Sequence, residues 1–133
     1  MEEIEIPAGV KRIGDGCFAA CEKLKHIVLP EGLEQIEARA FHFCESLEEI
    51  HIPCSVKEIG EAAFYNCKAL TELNIPDSVT SIGAYAFRSC GGITELVFSD
   101  NVDKIGACAF YDCNGLKTVK LGKKIIELGD RMF

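Results

Sequence analysis

The chain has few basic residues and no long apolar run. Its 133 residues include 14 Lys plus Arg against 21 Asp plus Glu. Binding to a nucleic-acid backbone or an anionic membrane surface requires the opposite charge, so we expect neither. No apolar stretch approaches the roughly 18 residues that a membrane span needs. Residues 1–3, Met-Glu-Glu, also lack the basic start and the apolar stretch of a secretory signal.

Recognisable catalytic and metal-binding motifs are missing as well. The chain has no glycine-rich phosphate loop, no nucleophile elbow and no acidic cluster with the spacing of metal ligands. Cys17, Cys21 and His26 come nearest to a zinc motif, but they lack the paired Cys-x-x-Cys spacing of structural zinc sites. We therefore predict that the protein is not an enzyme and uses no metal or other cofactor.

What the chain does contain is a repeat. Phenylalanine recurs every 23 residues, at positions 18, 41, 64, 87, 110 and 133. The units run 4–26, 27–49, 50–72, 73–95, 96–118 and a partial 119–133. Such a constant period predicts a solenoid in which each unit buries its apolar face against the next. Residues 1–133 should therefore form a single array.

Each unit combines two local patterns. It opens with a short apolar-polar-apolar run, as in residues 50–52, which predicts a half-buried strand that ends at a proline. Farther along, Phe64, Cys67 and Leu70 have the spacing of one helical face, which predicts one or two turns of α- or 3₁₀-helix. Strands of successive units should pair in parallel. The fold predicted is an α/β repeat solenoid, with a parallel strand ladder on one face and short helical turns on the other.

The repeat resembles a known family. Residues 47–52, Leu-x-x-Ile-x-Ile, partly match the general leucine-rich signature. Residues 52–70 carry the longer pattern I-P-x-x-V-x-x-I-G-x-x-A-F-x-x-C-x-x-L, and residues 75–93 repeat it with isoleucine in last place. This pattern resembles the BspA-like class of leucine-rich repeats, which has 23-residue units.

The resemblance carries implications for shape and function. It implies a leucine-rich-repeat right-handed superhelix with a binding surface and no catalytic residues. Family members are surface or secreted proteins of bacteria and some protists that adhere to host matrix proteins or to other cells. The resemblance therefore implies a non-enzymatic protein-binding or adhesion module, at the cell surface or secreted, whose partner is a host matrix protein or another cell-surface protein.

The cysteines follow the repeat more than any disulfide pattern. Five of them occupy one repeat position, at 21, 44, 67, 90 and 113. Thiols stacked with parallel Cβ directions do not match disulfide geometry, so we predict free buried thiols and no disulfides. Cys17 takes the alanine position before a core phenylalanine and should also be buried. Cys54 and Cys108 lie at variable positions and are the thiols expected to be exposed.

The outward face of the strand ladder is the predicted binding surface. Glu49, Glu72 and Glu95 occupy the same position before successive strands, so they should form a column of like charges. Like charges directly opposed destabilise a sheet, and a column kept despite this can mark a contact for a basic partner. The full candidate set on this face is Glu48, Glu49, His51, Glu72, Asn74, Glu95, Val28 and Val97.

Two other functions remain open at this stage. A purely structural spacer or stalk, with no ligand of its own, fits the same repeat. A thiol enzyme or redox sensor would rest on Cys54 or Cys108.

The first and last units also lack the polar caps that solenoids use to cover their ends, so we expect either a segment of a longer array or end-to-end self-association.

Overall fold

A computed structural model describes all 133 residues as a coil of short parallel strands without any helix. The strands form two ladders on separate sides of the coil. The strands are β1 (Glu3–Glu5), β2 (Arg12–Ile13), β3 (His26–Val28), β4 (Gln35–Ile36), β5 (Glu49–Ile50), β6 (Glu58–Ile59), β7 (Ser81–Ile82), β8 (Glu95–Val97), β9 (Lys104–Ile105), β10 (Thr118–Lys120) and β11 (Glu127–Leu128).

The first ladder contains the strands predicted at the start of each unit. β1, β3 and β5 pair in parallel, and an isolated parallel bridge between Glu49 and Glu72 extends this sheet into unit 4. β8 and β10 form a separate two-stranded sheet. Residues 73–75 carry the same apolar-polar-apolar run but are not assigned to a strand. The ladder is therefore interrupted between units 4 and 5.

The second ladder was not predicted as strand. β2, β4, β6, β7, β9 and β11 form one six-stranded parallel sheet that runs the length of the coil. Each strand has two residues, and in all but the last strand the second is a buried isoleucine, at positions 13, 36, 59, 82 and 105. A two-residue strand is too short to show the period-2 alternation by which strands are recognised in a sequence.

The third side of the coil corrects the helical prediction, because residues 62–70 and their equivalents form successive turns. In unit 2, the N–H groups of Arg39, Phe41 and Phe43 donate to carbonyl oxygens 22 residues farther along, at 2.7–2.8 Å. The intervening N–H groups donate to oxygens three residues back. A helix would direct every N–H along its own axis. Positive φ angles of 56° at Arg39 and 59° at Phe43 turn alternate peptides toward the next unit instead.

The core consists of columns that run through the stack, as the repeat predicts. The rings of Phe18, Phe41, Phe64, Phe87 and Phe110 stack with centroids 5.0–5.5 Å apart and planes within 11° of parallel. Phe64, Cys67 and Leu70 are completely buried. The shared face inferred from their spacing is therefore confirmed, although the backbone that presents it is not helical.

The cysteine column has a bonding role that spacing could not show. The Sγ atoms of Cys44, Cys67, Cys90 and Cys113 each donate to the carbonyl oxygen of a phenylalanine in the preceding unit, at 3.0–3.2 Å. That oxygen also accepts a backbone N–H from within its own unit, so the thiol uses its second lone pair. All eight cysteines are free thiols.

The other cysteines differ from the predictions in three cases. Cys54 is exposed as predicted, but Cys108, predicted to be exposed, and Cys21, predicted to be buried, are both half-buried. Cys17 is exposed rather than buried, and this corrects the prediction. The equivalent alanines, such as Ala40 and Ala63, are completely buried. Cys17 lies in unit 1, which has a neighbouring unit on one side alone within this structure, so its side chain is left uncovered.

The buried thiols should resist chemical labelling while the chain is folded. Burial raises the pKa of Cys44 and of Cys113 to about 12. Since the thiolate is the reactive form, we expect a disulfide reagent at pH 8 to modify Cys17 and Cys54 quickly, and Cys44 and Cys113 only after denaturation. Peptide mapping after timed labelling measures this. Labelling of Cys44 at the rate of Cys54 in folded protein would contradict the buried column.

Candidate binding face

The predicted binding residues are all exposed and lie in the strands of the first ladder or next to them in the chain. Val28 in β3 and Val97 in β8 expose 59% and 50% of their surface. Their strand neighbours Ile27 and Leu96 are buried, because successive side chains of a strand point to opposite sides. The remaining candidates, Glu48, Glu49, His51, Glu72, Asn74 and Glu95, are likewise exposed.

The acidic column is present but divided. Glu3, His26, Glu49 and Glu72 are successive register partners in the first sheet, so Glu49 and Glu72 lie directly side by side. Glu95 instead pairs with Thr118 in the second sheet, beyond the interruption. The register predicted from the repeat is therefore confirmed on each side of the break, and the structure does not pair Glu72 with Glu95.

Two histidines of this face lie close to carboxylates. The Nδ1 atom of His26 lies 3.6 Å from Oε1 of Glu49, and the Nε2 atom of His51 lies 3.9 Å from Oε1 of Glu31. His26 was not among the candidate residues, although its position in the same column as Glu49 is visible in the repeat. His26 thus faces Glu49 on one side of the column, while Glu72 faces it on the other.

The two largest grooves on this face are lined by candidate residues. One, of about 420 Å³, lies over β3 and β5 and includes His26, Val28, Glu49 and His51 in its wall. The other, of about 310 Å³, follows the interruption between units 4 and 5 and is lined by Thr71, Glu72, Leu73, Asn74, Thr94, Glu95 and Val97. The second groove could not be foreseen from the sequence, because the pattern of units 4 and 5 is intact there. Together the grooves contain every candidate residue except Glu48.

The two thiols considered for catalysis lack a histidine partner. Neither Cys54 nor Cys108 forms a side-chain hydrogen bond with a histidine, the contact that activates a cysteine nucleophile. No group of three or more His, Cys, Asp or Glu side chains is arranged to hold a metal ion. No helix is present that is long and apolar enough to cross a membrane. The strand face exposes carboxylates together with the apolar side chains of Val28 and Val97.

Parallel ladders, a shared interior of stacked columns and a 23-residue turn define a parallel β-solenoid of the leucine-rich-repeat class. The chain belongs to the BspA type leucine rich repeat family, whose model matches six copies over residues 1–117 and 80–133.

Solved structures agree with this assignment. The chain is similar to a leucine-rich repeat protein of T. pallidum, with 30% identity, a TM-score of 0.95 and coverage of 99% of this chain and 64% of that one. A leucine-rich repeat protein of Bacteroides ovatus is 34% identical, with a TM-score of 0.94 over 98% of this chain and 36% of that one.

A leucine rich cell surface protein of Faecalibacterium prausnitzii is 28% identical, with a TM-score of 0.57 over 98% of this chain and 44% of that one. The chain thus spans less than two thirds of each of these relatives. No curated protein matches it.

Proposed function

We propose that this chain is a non-enzymatic protein-binding module of a cell-surface leucine-rich-repeat protein, and that the outer side of the first ladder is its contact surface. The observation that carries the proposal is the pairing in register of two exposed glutamates, Glu49 and Glu72. Like charges that lie directly opposite each other destabilise a sheet by up to about 1 kcal/mol. A basic partner would convert that repulsion into attraction.

Exposed apolar residues support the same surface. Val28 and Val97 lie on the same side as the carboxylates, near the two ends of the face. Binding surfaces of proteins combine apolar contacts with a polar surround. The partner that fits is a protein with a basic, partly apolar contact surface, such as a matrix or cell-surface protein.

A location at the cell surface is supported by the family resemblance and by one neighbour. The similar protein of F. prausnitzii is described as a cell surface protein. Adhesion to another cell or to a host matrix is the role that such a location and an exposed protein-binding face would serve.

Charge reversal on the strand face tests the contact surface. The variant Glu49→Lys, Glu72→Lys and Glu95→Lys should fold as the unaltered chain does, since all three side chains are exposed. It should lose capture by immobilised extracellular-matrix proteins by at least tenfold, because like charges across an interface oppose association. Surface plasmon resonance against a panel of such proteins measures the loss.

The matched control changes net charge equally, away from that face. Glu34, Glu58 and Glu61 are exposed and lie outside the first ladder, and their reversal to lysine should leave capture within twofold. Equal capture by both variants would show that the strand face is not the contact surface. If the unaltered chain captures no protein of the panel, a structural spacer is the better account.

A further inference from the structure

A second cluster lies on the turn side of the coil, away from the strand face. Arg88 occupies the position directly after core Phe87, where the neighbouring units place Tyr65 and Tyr111. Its guanidinium carbon lies 5.6 Å from the ring centroid of Tyr65, 5.8 Å from that of Tyr85 and 5.2 Å from that of Tyr111. All three tyrosines of the chain therefore surround one arginine.

This arginine lacks a carboxylate partner within the chain. Arg12 pairs with Glu37 and Arg39 with Asp15, whereas the Nε atom of Arg88 is buried and has no hydrogen-bond partner. A buried donor without an acceptor destabilises the fold. The tyrosine rings offset part of this through cation–π contacts. They provide no acceptor in the plane of the guanidinium, where its donors lie.

Asp112, which follows Tyr111 in the chain, is hydrogen-bonded to other residues. Oδ2 of Asp112 accepts a bond from Ser89 at 3.3 Å, and Oδ1 accepts one from Asn114 at 2.9 Å. His42 stacks on Tyr65 with ring centroids 5.0 Å apart. Burial, together with the charge of Arg39, lowers the pKa of His42, so its ring is neutral at pH 7. Arg88 is thus the cationic centre of this cluster.

Apolar surface adjoins the arginine. Phe43 packs against Tyr65 with centroids 5.5 Å apart, yet 37% of its surface is exposed, and Tyr111 exposes 40%. Phe43 is not part of the phenylalanine column, since the column member of its unit is Phe41. The cluster therefore combines two half-exposed rings with an unpaired guanidinium.

We propose that Arg88, with Tyr65, Tyr85, Tyr111 and Phe43, forms a docking site for a protein segment that presents a carboxylate between two apolar side chains. The carboxylate accepts hydrogen bonds from the terminal Nη groups of Arg88, which lie beyond the buried Nε atom, and such a charge-assisted contact is stronger than a neutral hydrogen bond. One apolar side chain lies over Phe43 and the other over Tyr111, because these two rings belong to units 2 and 5. Tyrosine and arginine are the residues in which binding energy concentrates at protein interfaces. This site is independent of the strand face. It binds an anionic group, whereas the strand face is proposed to bind a basic partner.

The test is a titration with a short blocked peptide that carries one glutamate between two leucines. The Nε–H resonance of Arg88 should shift on addition of the peptide, and the glutamine version should bind at least tenfold more weakly. Arg88→Gln should weaken binding at least tenfold. Other units place alanine, histidine or tyrosine at this position, so the substitution is compatible with the fold, and thermal unfolding checks this.

Arg131→Gln is the matched control, because it removes the same charge from an exposed residue of the same turn side, and it should leave binding within twofold. Tyr111→Ala, a second variant at an exposed position, should weaken binding at least threefold. Equal binding of the glutamine peptide, or equal loss in Arg131→Gln, would overturn the proposal. So would binding of acetate or glucuronate as tight as that of the peptide, since the site would then recognise a small anion or an acidic sugar.

Discussion

Replacement of Phe64 by alanine is expected to lower the free energy of unfolding by about 3–5 kcal/mol. Phe64 is completely buried, and its ring stacks between Phe41 and Phe87 at 5.1 and 5.0 Å. Its removal leaves a cavity in the middle of the column and breaks two ring contacts, each of which contributes about 0.5–1.5 kcal/mol. Since each unit is stabilised by its neighbours, the loss acts on units 2, 3 and 4 together. Urea unfolding followed by circular dichroism measures the change.

Phe43→Ala provides the comparison for this substitution. Phe43 lies outside the column and is partly exposed, so its truncation should lower the free energy of unfolding by roughly 1 kcal/mol or less. If the two variants unfold at the same urea concentration, the column does not carry the stability of the coil.

A charge buried in the second ladder should lower the free energy of unfolding about as much as the removal of the Phe64 ring. Ile82 exposes 2% of its surface in β7, a strand paired on both sides, by β6 and β9. A buried carboxyl has its pKa raised by roughly 3 units or more, so Ile82→Asp should lower the free energy of unfolding by about 4 kcal/mol at pH 7. Chemical unfolding of the variant at this pH measures the loss.

The pH dependence distinguishes buried charge from simple loss of packing. The folded variant favours the neutral carboxyl, whereas the unfolded chain ionises near its ordinary pKa of about 3.9. The penalty therefore grows as pH rises above that value and shrinks as pH falls toward it. Ser81→Asp, one residue earlier and only half-buried, should change stability by about 0.5 kcal/mol or less. A penalty in Ile82→Asp that is the same at pH 4 and pH 7 would contradict a buried carboxylate.

The features of the fold that could be predicted are those that follow directly from the 23-residue spacing. The phenylalanine and cysteine columns repeat at constant spacing, so the partner of Phe64 in the next unit is Phe87 by counting alone. The pairing of Glu49 with Glu72 follows from the same count and is confirmed. The spacing of Phe64, Cys67 and Leu70 identified the buried face and misled about the backbone, because turns and helices both place every third residue inward.

The sequence predicted which residues of the candidate face are exposed, but it did not predict the interruption that divides this face. Exposure of Glu49, Glu72 and Val28 follows from alternation along a strand. The interruption that separates Glu72 from Glu95 leaves no mark on the pattern, because units 4 and 5 each satisfy the repeat. The cluster at Arg88 could not be predicted from the repeat either. Tyr65, Tyr85 and Tyr111 lie at two different repeat positions, and they come close to Arg88 only in the folded coil.

The sequence by itself determined the period, the columns of the core and the parallel register, because each of these requires only that identical units stack in order. Only the tertiary structure revealed the second ladder and the alternate peptide groups that donate hydrogen bonds to the next unit. The same is true of the interruption of the sheet between units 4 and 5 and of the tyrosine cluster around Arg88. Each of these depends on how two neighbouring units approach one another. That approach is set by the packing of residues about 23 positions apart, which no local pattern records.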